Sequence, residues 1–580
     1  MAAWAVSGMG GMVPRMSSRN LPVNLAELAV NCDLSSGAIA AIAAPRLVID
    51  LGTPARRAYR FPNDDGTAEV WLPLPSEFSS VARSPLANDT NRRIYWTNPG
   101  ADAPFWSTYD LIDAGATPFN LGIVQPSTTV GPIVSVTGGT ATPLVSRSYV
   151  YTYTNDYGEE STPSAPSEVV SGASDGAWLV NGWPTSAPPN PVGYNYPPVT
   201  GIVIYRTVTG QTTGAQFFEV TRGDFPTVPT VLADNSLDTE ITNNLALASL
   251  GWGNPPVGLD GITALPGGML VGFVGNTVHF CEPNRPHAWP VGYDQSLMYD
   301  IVGLSVWQQS LAVLTTGFPS TGAGNTPSNY TFSQIKVPEP CIARGSIVTD
   351  ITGVYYASNN GLVVLNYYGM KNQTLNQVTS KQWLNDYHAA NIIACRNEAQ
   401  YLAINATGVG FLIDYSEKRI GFVQLNTFND AVCVWNDEYD GASYIITPDG
   451  KVYVWDSAVQ TLPLTYKWRS KLFYTPAPVS VGACQVALDS SVEDAFSEAL
   501  PLLDNGDASL VLPAGVNAVI KIYAGPDQTY LVTTKQLTKK HEIFRVPRGF
   551  KAFAWQFEVV SRVPIDSVEL ATTMKDLSVA

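Results

Sequence analysis

The reading of the fold turns on residues 258–456, where one pattern returns about every 40 residues, the spacing of β-propeller blades. Its clearest copies are GLDGITALPGGMLVGFVGNTVHF from Gly258, GSIVTDITGVYYASNNGLVVLN from Gly345 and AVCVWNDEYDGASYIITPDGKVYVWD from Ala431. Weaker copies begin near Asp300 and Ile392. Each pairs two apolar, β-branched or aromatic runs across a tight turn: Pro266-Gly267-Gly268 and Gly275-Asn276, Asn359-Asn360-Gly361, Pro448-Asp449-Gly450. Such turns supply the positive-φ positions that close hairpins, so the segment predicts successive antiparallel hairpins. A hairpin cannot bury both faces alone, and radial stacking solves this while leaving only short edges. An extended β-sandwich is the rival reading. Five blade units are visible, and a sixth, or the closing strand, is expected from flanking sequence such as Tyr466 to Tyr474.

Working outward, 580 residues exceed one ordinary core, and several domains are expected. Charged residues are only 14% while Gly (48) and Pro (43) are abundant, the composition of a turn-rich β protein rather than a helical enzyme. A net charge of -16 argues against a surface that grips nucleic acid or anionic membrane, though not against a channel through which nucleic acid slides. The first 20 residues make a poor export signal, and no stretch of about 20 apolar residues predicts a membrane span. Six scattered cysteines (Cys32, Cys281, Cys341, Cys395, Cys433, Cys484) predict buried free thiols and folding in a reducing cytoplasm.

The all-β chain divides into four parts. Residues 1–124 read as an extended arm, a short helix over Asn24 to Val30 capped by Asn24, and the first strands of a β platform at Ala58 to Phe61, Glu69 to Leu72 and Arg93 to Thr97. Asp64, Asp65, Glu69 and Asp89 lack calcium-loop spacing and read as turn carboxylates. Residues 125–250 read as an inserted fibronectin-III- or immunoglobulin-like sandwich. There Tyr149, Tyr151 and Tyr153 share one face, read as half a core or a partner interface before a sugar-binding platform. Residues 251–464 are the propeller. Residues 465–580, with an acidic stretch from Ser491 to Asp507, complete the platform, and Phe553, Trp555 and Phe557 alternate onto one of its faces.

No nucleophile elbow, zinc-protease helix, phosphate loop or dinucleotide fingerprint occurs, and four histidines are scattered, so neither enzyme activity nor a cofactor or metal is expected. The residues singled out are cations of an acidic chain: Arg15 and Arg19 in the arm, and Lys467, Arg469, Lys471, Arg545, Arg548 and Lys551 in the last part. They are candidates for a subunit interface or a channel lining, weighed against solvated charges flanking strands.

Particular phrases go further than composition. GMVPRMSSRNLPVNLAELAVNCDLSSGAI, SPLANDTNRRIYWTNPG, YVYTYTNDYGEESTPSAPS with IVIYRT, and YKWRSKLFY with FRVPRGFKAFAWQFEV resemble virion structural proteins of tailed bacteriophages. The similarity is nearest to the tail nozzle (tail tubular protein B) of short-tailed phages. The resemblance implies a homohexameric ring at the end of the tail, made in the host cytoplasm, with a platform that builds the tube and a propeller outside it. It further implies a tail adaptor above, tail fibres or spikes beside, and genomic double-stranded DNA passing through the lumen without sequence-specific binding. A carbohydrate-binding or glycan-cleaving propeller is the alternative.

Overall fold

The computed structural model describes residues 3–208, 216–405, 410–414, 421–427, 430–455, 463–488, 510–513 and 516–577. The acidic stretch from Ser491 to Asp507 lies outside them. The described chain is all-β, with short helical turns between strands.

Five antiparallel sheets follow the sequence repeat. Blade 2 is Asp260–Leu265, Met269–Val274, Thr277–Phe280 and Gln295–Ser296; blade 3 runs from Ile301–Trp307 to Thr331–Gln334; blade 4 from Val348–Asp350 to Gly369–Asn372. Blade 5 is Ile392–Asn397, Gln400–Asn405, Gly410–Asp414 and Phe422–Leu425. Blade 6 has three consecutive strands, Cys433–Asn436, Ser443–Ile446 and Lys451–Val454. Its fourth comes from the other end of the chain: Arg46–Asp50 pairs antiparallel with Lys451–Val454.

Blade 1 also comes from early sequence, as Ser80–Arg83, Ile94–Thr97, Phe105–Ser107 and Phe119–Asn120. Innermost strands of consecutive blades touch from blade 1 to blade 6. A two-stranded hairpin, Arg57–Pro62 with Glu69–Leu74, wedges the ring shut between blades 6 and 1. Strand alternation sorts its side chains. Tyr59 and Phe61 pack on Ile94 and Trp96 of blade 1, while Ala58 packs with Trp435 and Tyr444 of blade 6. Two expectations are therefore corrected. The strands over 57–97 belong to the propeller, not to the platform, and Tyr466 to Tyr474 does not close the ring.

Between blades 1 and 2 the chain makes a small sandwich. Tyr149–Thr154, Gly201–Thr207 and Phe217–Asp224 form one sheet, and Ile133–Thr137, Ala177–Asn181 and Val231–Ala233 another. Tyr149, Tyr151 and Tyr153 lie in the core with Val180, Ile202 and Ile204, so the tyrosine ladder is packing and not a binding surface.

The platform is two packed sheets built from both chain ends. Ala3–Ser7 pairs with Ile565–Ala571, followed by Ala483–Leu488 and His541–Arg545. The facing sheet runs Ala26–Val30, Tyr466–Ser470, Ala552–Ser561, Ala518–Ala524, Tyr530–Gln536. Trp555, Phe557 and Val559 fill the space between, against Val6, Cys484, Val486 and Leu570. Each such side chain contributes about 1.5–3 kcal/mol by leaving water. The helix expected over Asn24 to Val30 is a strand, Ala26–Val30, because two neighbours claim its backbone: Tyr466–Ser470 along its length and Gln424 of blade 5 at Val30. Asn24 caps no helix; its amide donates to the Gly8 carbonyl, 3.2 Å away.

That strand makes platform and blade 5 one continuous sheet. Met12 and Phe422 exchange backbone hydrogen bonds of 2.8 and 2.9 Å. Gly11 and Gly421 lie so close that a Cβ on Gly11 would stand 2.7 Å from the Phe422 carbonyl oxygen. Only glycine fits this crossing.

Candidate functional site: the propeller axis and the platform rim

The innermost strands enclose a cavity of about 410 Å³ on the propeller axis. Every blade reaches it: Ser80, Gly261, Ser305, Thr349, Cys395 and Asn436 line it in blades 1 to 6, and Arg57 and Glu77 come from the wedge hairpin and the turn after it. The cavity's charges are already engaged with protein groups. Arg344 forks onto both oxygens of Asp260 and donates to the Ser80 hydroxyl at 3.2 Å. Glu77 takes two hydrogen bonds from Arg56, at 2.6 and 3.1 Å, and Glu438 lies 3.0 Å from Arg83. The Arg83 guanidinium rests 3.5 Å over the Tyr439 ring. Arg57 donates to the Ser79 carbonyl.

Burial pushes the Glu438 carboxyl above the usual carboxylate range, against the pull of Arg83 and Arg57. It also pushes the two axial thiols up, Cys433 to about 11 and Cys395 to about 12. Protonated thiols are poor nucleophiles and poor metal ligands at neutral pH. All six cysteines are free and buried.

The four histidines do not converge. His279 bonds Asp294 at 2.8 Å in blade 2, His287 is buried between the third and fourth strands of that blade, His388 precedes blade 5, and His541 begins a platform strand. Among the described residues no group of three or more His, Cys, Asp or Glu is placed to hold a metal ion, and no helix is long and apolar enough to cross a membrane. The acidic turn residues of the early sequence pair with arginines instead: Asp64 with Arg92, Glu69 with Arg60, Asp89 with Arg93.

The eight cations singled out from sequence fall into two sets. Arg15, Arg19, Arg469 and Lys471 tie the arm and the strand that follows it to the rest of the chain, and Lys467 shares a strand with Arg469. Arg15 donates to the Leu375 carbonyl at 2.6 Å, and Arg19 lies 4.3 Å over the Tyr474 ring. Lys467 is buried on a central platform strand. Arg469 pairs with Glu558 at 2.8 Å and with Glu27 at 3.6 Å, and Lys471 donates to the Leu21 carbonyl. Burial lowers the Lys471 ammonium.

Arg545, Arg548 and Lys551 form the second set, all exposed, Arg545 at the end of strand His541–Arg545 and the other two on the turn from it into strand Ala552–Ser561. Phe550 on the same turn, Phe553 at the strand's start (51% exposed), Ile543 on the strand before and Tyr474 on the neighbouring strand are also solvent-facing. Together they make a mixed aromatic and cationic rim at one end of the platform. Phe553 shares a face with Trp555 and Phe557, as the period-two reading expected, but only those two are buried.

Sequence reasoning did not single out Arg344, Asp260, Glu438 or Arg57. The one local signal was Arg344 standing directly before the repeat that opens at Gly345.

No family model matches the chain, and no curated protein matches it. Among solved structures it is similar to BamB from Moraxella catarrhalis, at 11% identity over 72% of this chain and 99% of that one, with a TM-score of 0.25. It is also similar to the Pan2 WD40 domain from Neurospora crassa, at 9% identity over 51% and 86%, with a TM-score of 0.26. The propeller assignment itself rests on the strand pairing and the ring of blades.

Proposed function

We propose that this chain is a structural subunit of the tail nozzle of a short-tailed phage, a homohexameric conduit for genomic DNA. The observation that carries the reading is the platform rim: aromatic side chains and cations left solvent-facing on one end of a two-sheet body, in a chain of net charge -16. Exposed aromatics beside arginines are the composition of an interface core, and acidic surface on a neighbouring copy complements the cations. The resemblance adds support. Three of the phrases that carry it, distant in sequence, are adjacent strands of one sheet, with Ala29 opposite Trp468 and Trp468 opposite Val559. On this reading the platform builds the tube, the propeller stands outside it, and the adaptor and the fibres or spikes attach to surfaces of the same ring.

Electron microscopy of the parent particle, with the chain labelled, tests the proposal. Six-fold density for this chain at a tail tip is expected, and its absence from the tail overturns the reading. In sedimentation, Phe553→Glu should weaken self-association at least tenfold without moving the melting temperature, because Phe553 is half exposed. Unchanged association would remove the rim from the interface.

A conduit must not hold its cargo. Duplex DNA binding at physiological salt is therefore expected to be weaker than about 1 µM, in the range of non-specific contacts or below. Sub-micromolar binding in a fluorescence anisotropy titration would count against passive conduction.

A further inference from the structure

A second cavity, of about 340 Å³, lies away from the axis, between blades 3 and 4. Ala312, Val354 and Leu365 give it an apolar floor, and Ser310, Thr321 and Asn366 supply uncharged polar groups. The Trp307 indole forms one wall, fixed by its Nε1 donating to the Ile351 carbonyl at 3.2 Å. The Tyr367 ring stands beside it, centroids 4.3 Å apart, and its hydroxyl donates to Gln308 Oε1 at 2.9 Å. Tyr368 follows, fully exposed.

The fold does not call for these tyrosines. They occupy the turn between Gly361–Asn366 and Gly369–Asn372, where a two-residue connection favours Asn, Asp or Gly. The turn is already served by its neighbours: Asn366 Oδ1 accepts from the Tyr368 backbone N–H at 3.0 Å, and Gly369 takes φ +108°. Tyr367 is thus a large aromatic side chain that lines the pocket while 64% exposed to solvent. It sits beside a tryptophan that the pocket keeps in place.

We infer that this pocket is a binding site for a neutral hexopyranose unit of a glycan. A sugar ring offers an apolar C–H face and a rim of hydroxyls. Its recognition requires an aromatic face, here Trp307 and Tyr367, with hydroxyl partners, here Ser310 and Thr321, beside the Asn366 amide. The size fits a short saccharide, at the low end of the roughly 300–1,000 Å³ of small-ligand pockets. No charged side chain lines the cavity, so nothing offsets the charge of a uronic acid or a phosphosugar in a chain that is already acidic. The inference is independent of the tail reading, because it rests on blades 3 and 4 alone.

Saturation-transfer NMR on the full chain tests it, with the methyl glycosides of glucose, galactose, mannose and rhamnose as probes and methyl glucuronide as the charged control. At least one neutral glycoside should give a saturable ring-proton signal, with glucuronide weaker. Tyr367→Ala, at an exposed turn residue, and Thr321→Ala, which removes one lining hydroxyl, should each weaken that signal at least tenfold, while Tyr367→Phe keeps the ring and most of the binding. A wild type silent toward all four neutral probes overturns the inference. So does binding that survives both substitutions, or N-acetyl-tyrosine amide competing better than any sugar, which would make the pocket a peptide anchor site.

Discussion

Replacing Asp234 with alanine is expected to unfold the inserted sandwich at least 10 °C earlier than the wild type and leave the propeller and platform standing. Arg147 and Arg206 are both fully buried, and both turn to this carboxylate, at 3.4 and 2.8 Å from Oδ2. Tyr149 donates its hydroxyl to the same oxygen at 2.7 Å. The segment that follows completes the cluster. The Ser236 carbonyl accepts from Arg147 and Arg206 at 3.1 and 2.9 Å, and Asp238 lies 2.7 Å from Arg206. Removing Asp234 leaves two buried guanidiniums with one partly exposed carboxylate. Breaking a buried pair in this way costs about 3–5 kcal/mol, far more than the pair's net worth. In a domain this small that corresponds to at least 10 °C. Hydrogen exchange followed by mass spectrometry reads it: protection over 133–233 should collapse first, with blades 2 to 6 unchanged. A uniform loss across the chain would mean the sandwich does not unfold as its own unit.

The second large effect is a pair of opposed pH dependences at the joint between sandwich and propeller. The sandwich loop from Asn155 to Glu160 plugs into blades 1 and 2. Tyr157 packs edge-on against Trp106, centroids 4.8 Å apart, and the His287 ring lies 3.1 Å from the Glu160 carbonyl oxygen. Glu159 accepts from Asn155 at 2.8 Å and lies 3.3 Å from Arg93, which is itself held by Asp89 at 2.9 Å. Burial outweighs Arg93 and Asn155 and pushes the Glu159 carboxyl up to about 7. Burial, with Arg285 and Arg93 nearby, pushes His287 down to about 3.

The signs follow from proton binding. His287 takes a proton more readily in the unfolded chain, so its contribution to stability is lost as pH falls from about 6.5 toward 3. Glu159 is protonated more readily in the folded chain, so its contribution is present at low pH and lost as pH rises from about 4.5 through 7. Between pH 7 and 5 each is worth about 2 kcal/mol, in opposite directions. The wild-type joint should therefore be nearly level over that window, and single substitutions should unmask the slopes. Urea unfolding should find His287→Gln gaining about 2 kcal/mol on the wild type from pH 7 to 5, and Glu159→Gln losing about as much. A gap between variant and wild type that stays constant with pH would remove that residue from the linkage.

Blades 2 to 6 were legible in the sequence because the information in a hairpin is local. Asn359-Asn360-Gly361 and Pro448-Asp449-Gly450 announce their turns, and the runs on either side announce their strands. The buried thiols were legible for a similar reason, since residue type reports burial without naming the partner, while alternation put the tyrosine ladder on one face and left core and partner interface both open until the fold placed it in the core. Blade 1 carries the same kind of strands, but the sandwich separates it from blade 2, and its repeat has no neighbour in sequence to be recognised against. The candidate cations were visible as charges. Their roles were not, because the partners of Arg469, Glu558 and Glu27, lie on other strands of the platform.

What the amino-acid sequence determined by itself is the class of the protein: an acidic, turn-rich all-β chain with a propeller repeat in its middle. What only the tertiary structure decided is how the ring and platform close. Ala26–Val30 reads locally as a short helix and becomes a strand because Tyr466–Ser470 and Gln424 satisfy its backbone. Arg46–Asp50 finishes a blade whose other strands begin at Cys433. The axial cavity draws one or more residues from every blade. Pairings across some 400 residues are set by which buried edges remain open once the local hairpins have formed, and no local pattern of residues encodes that.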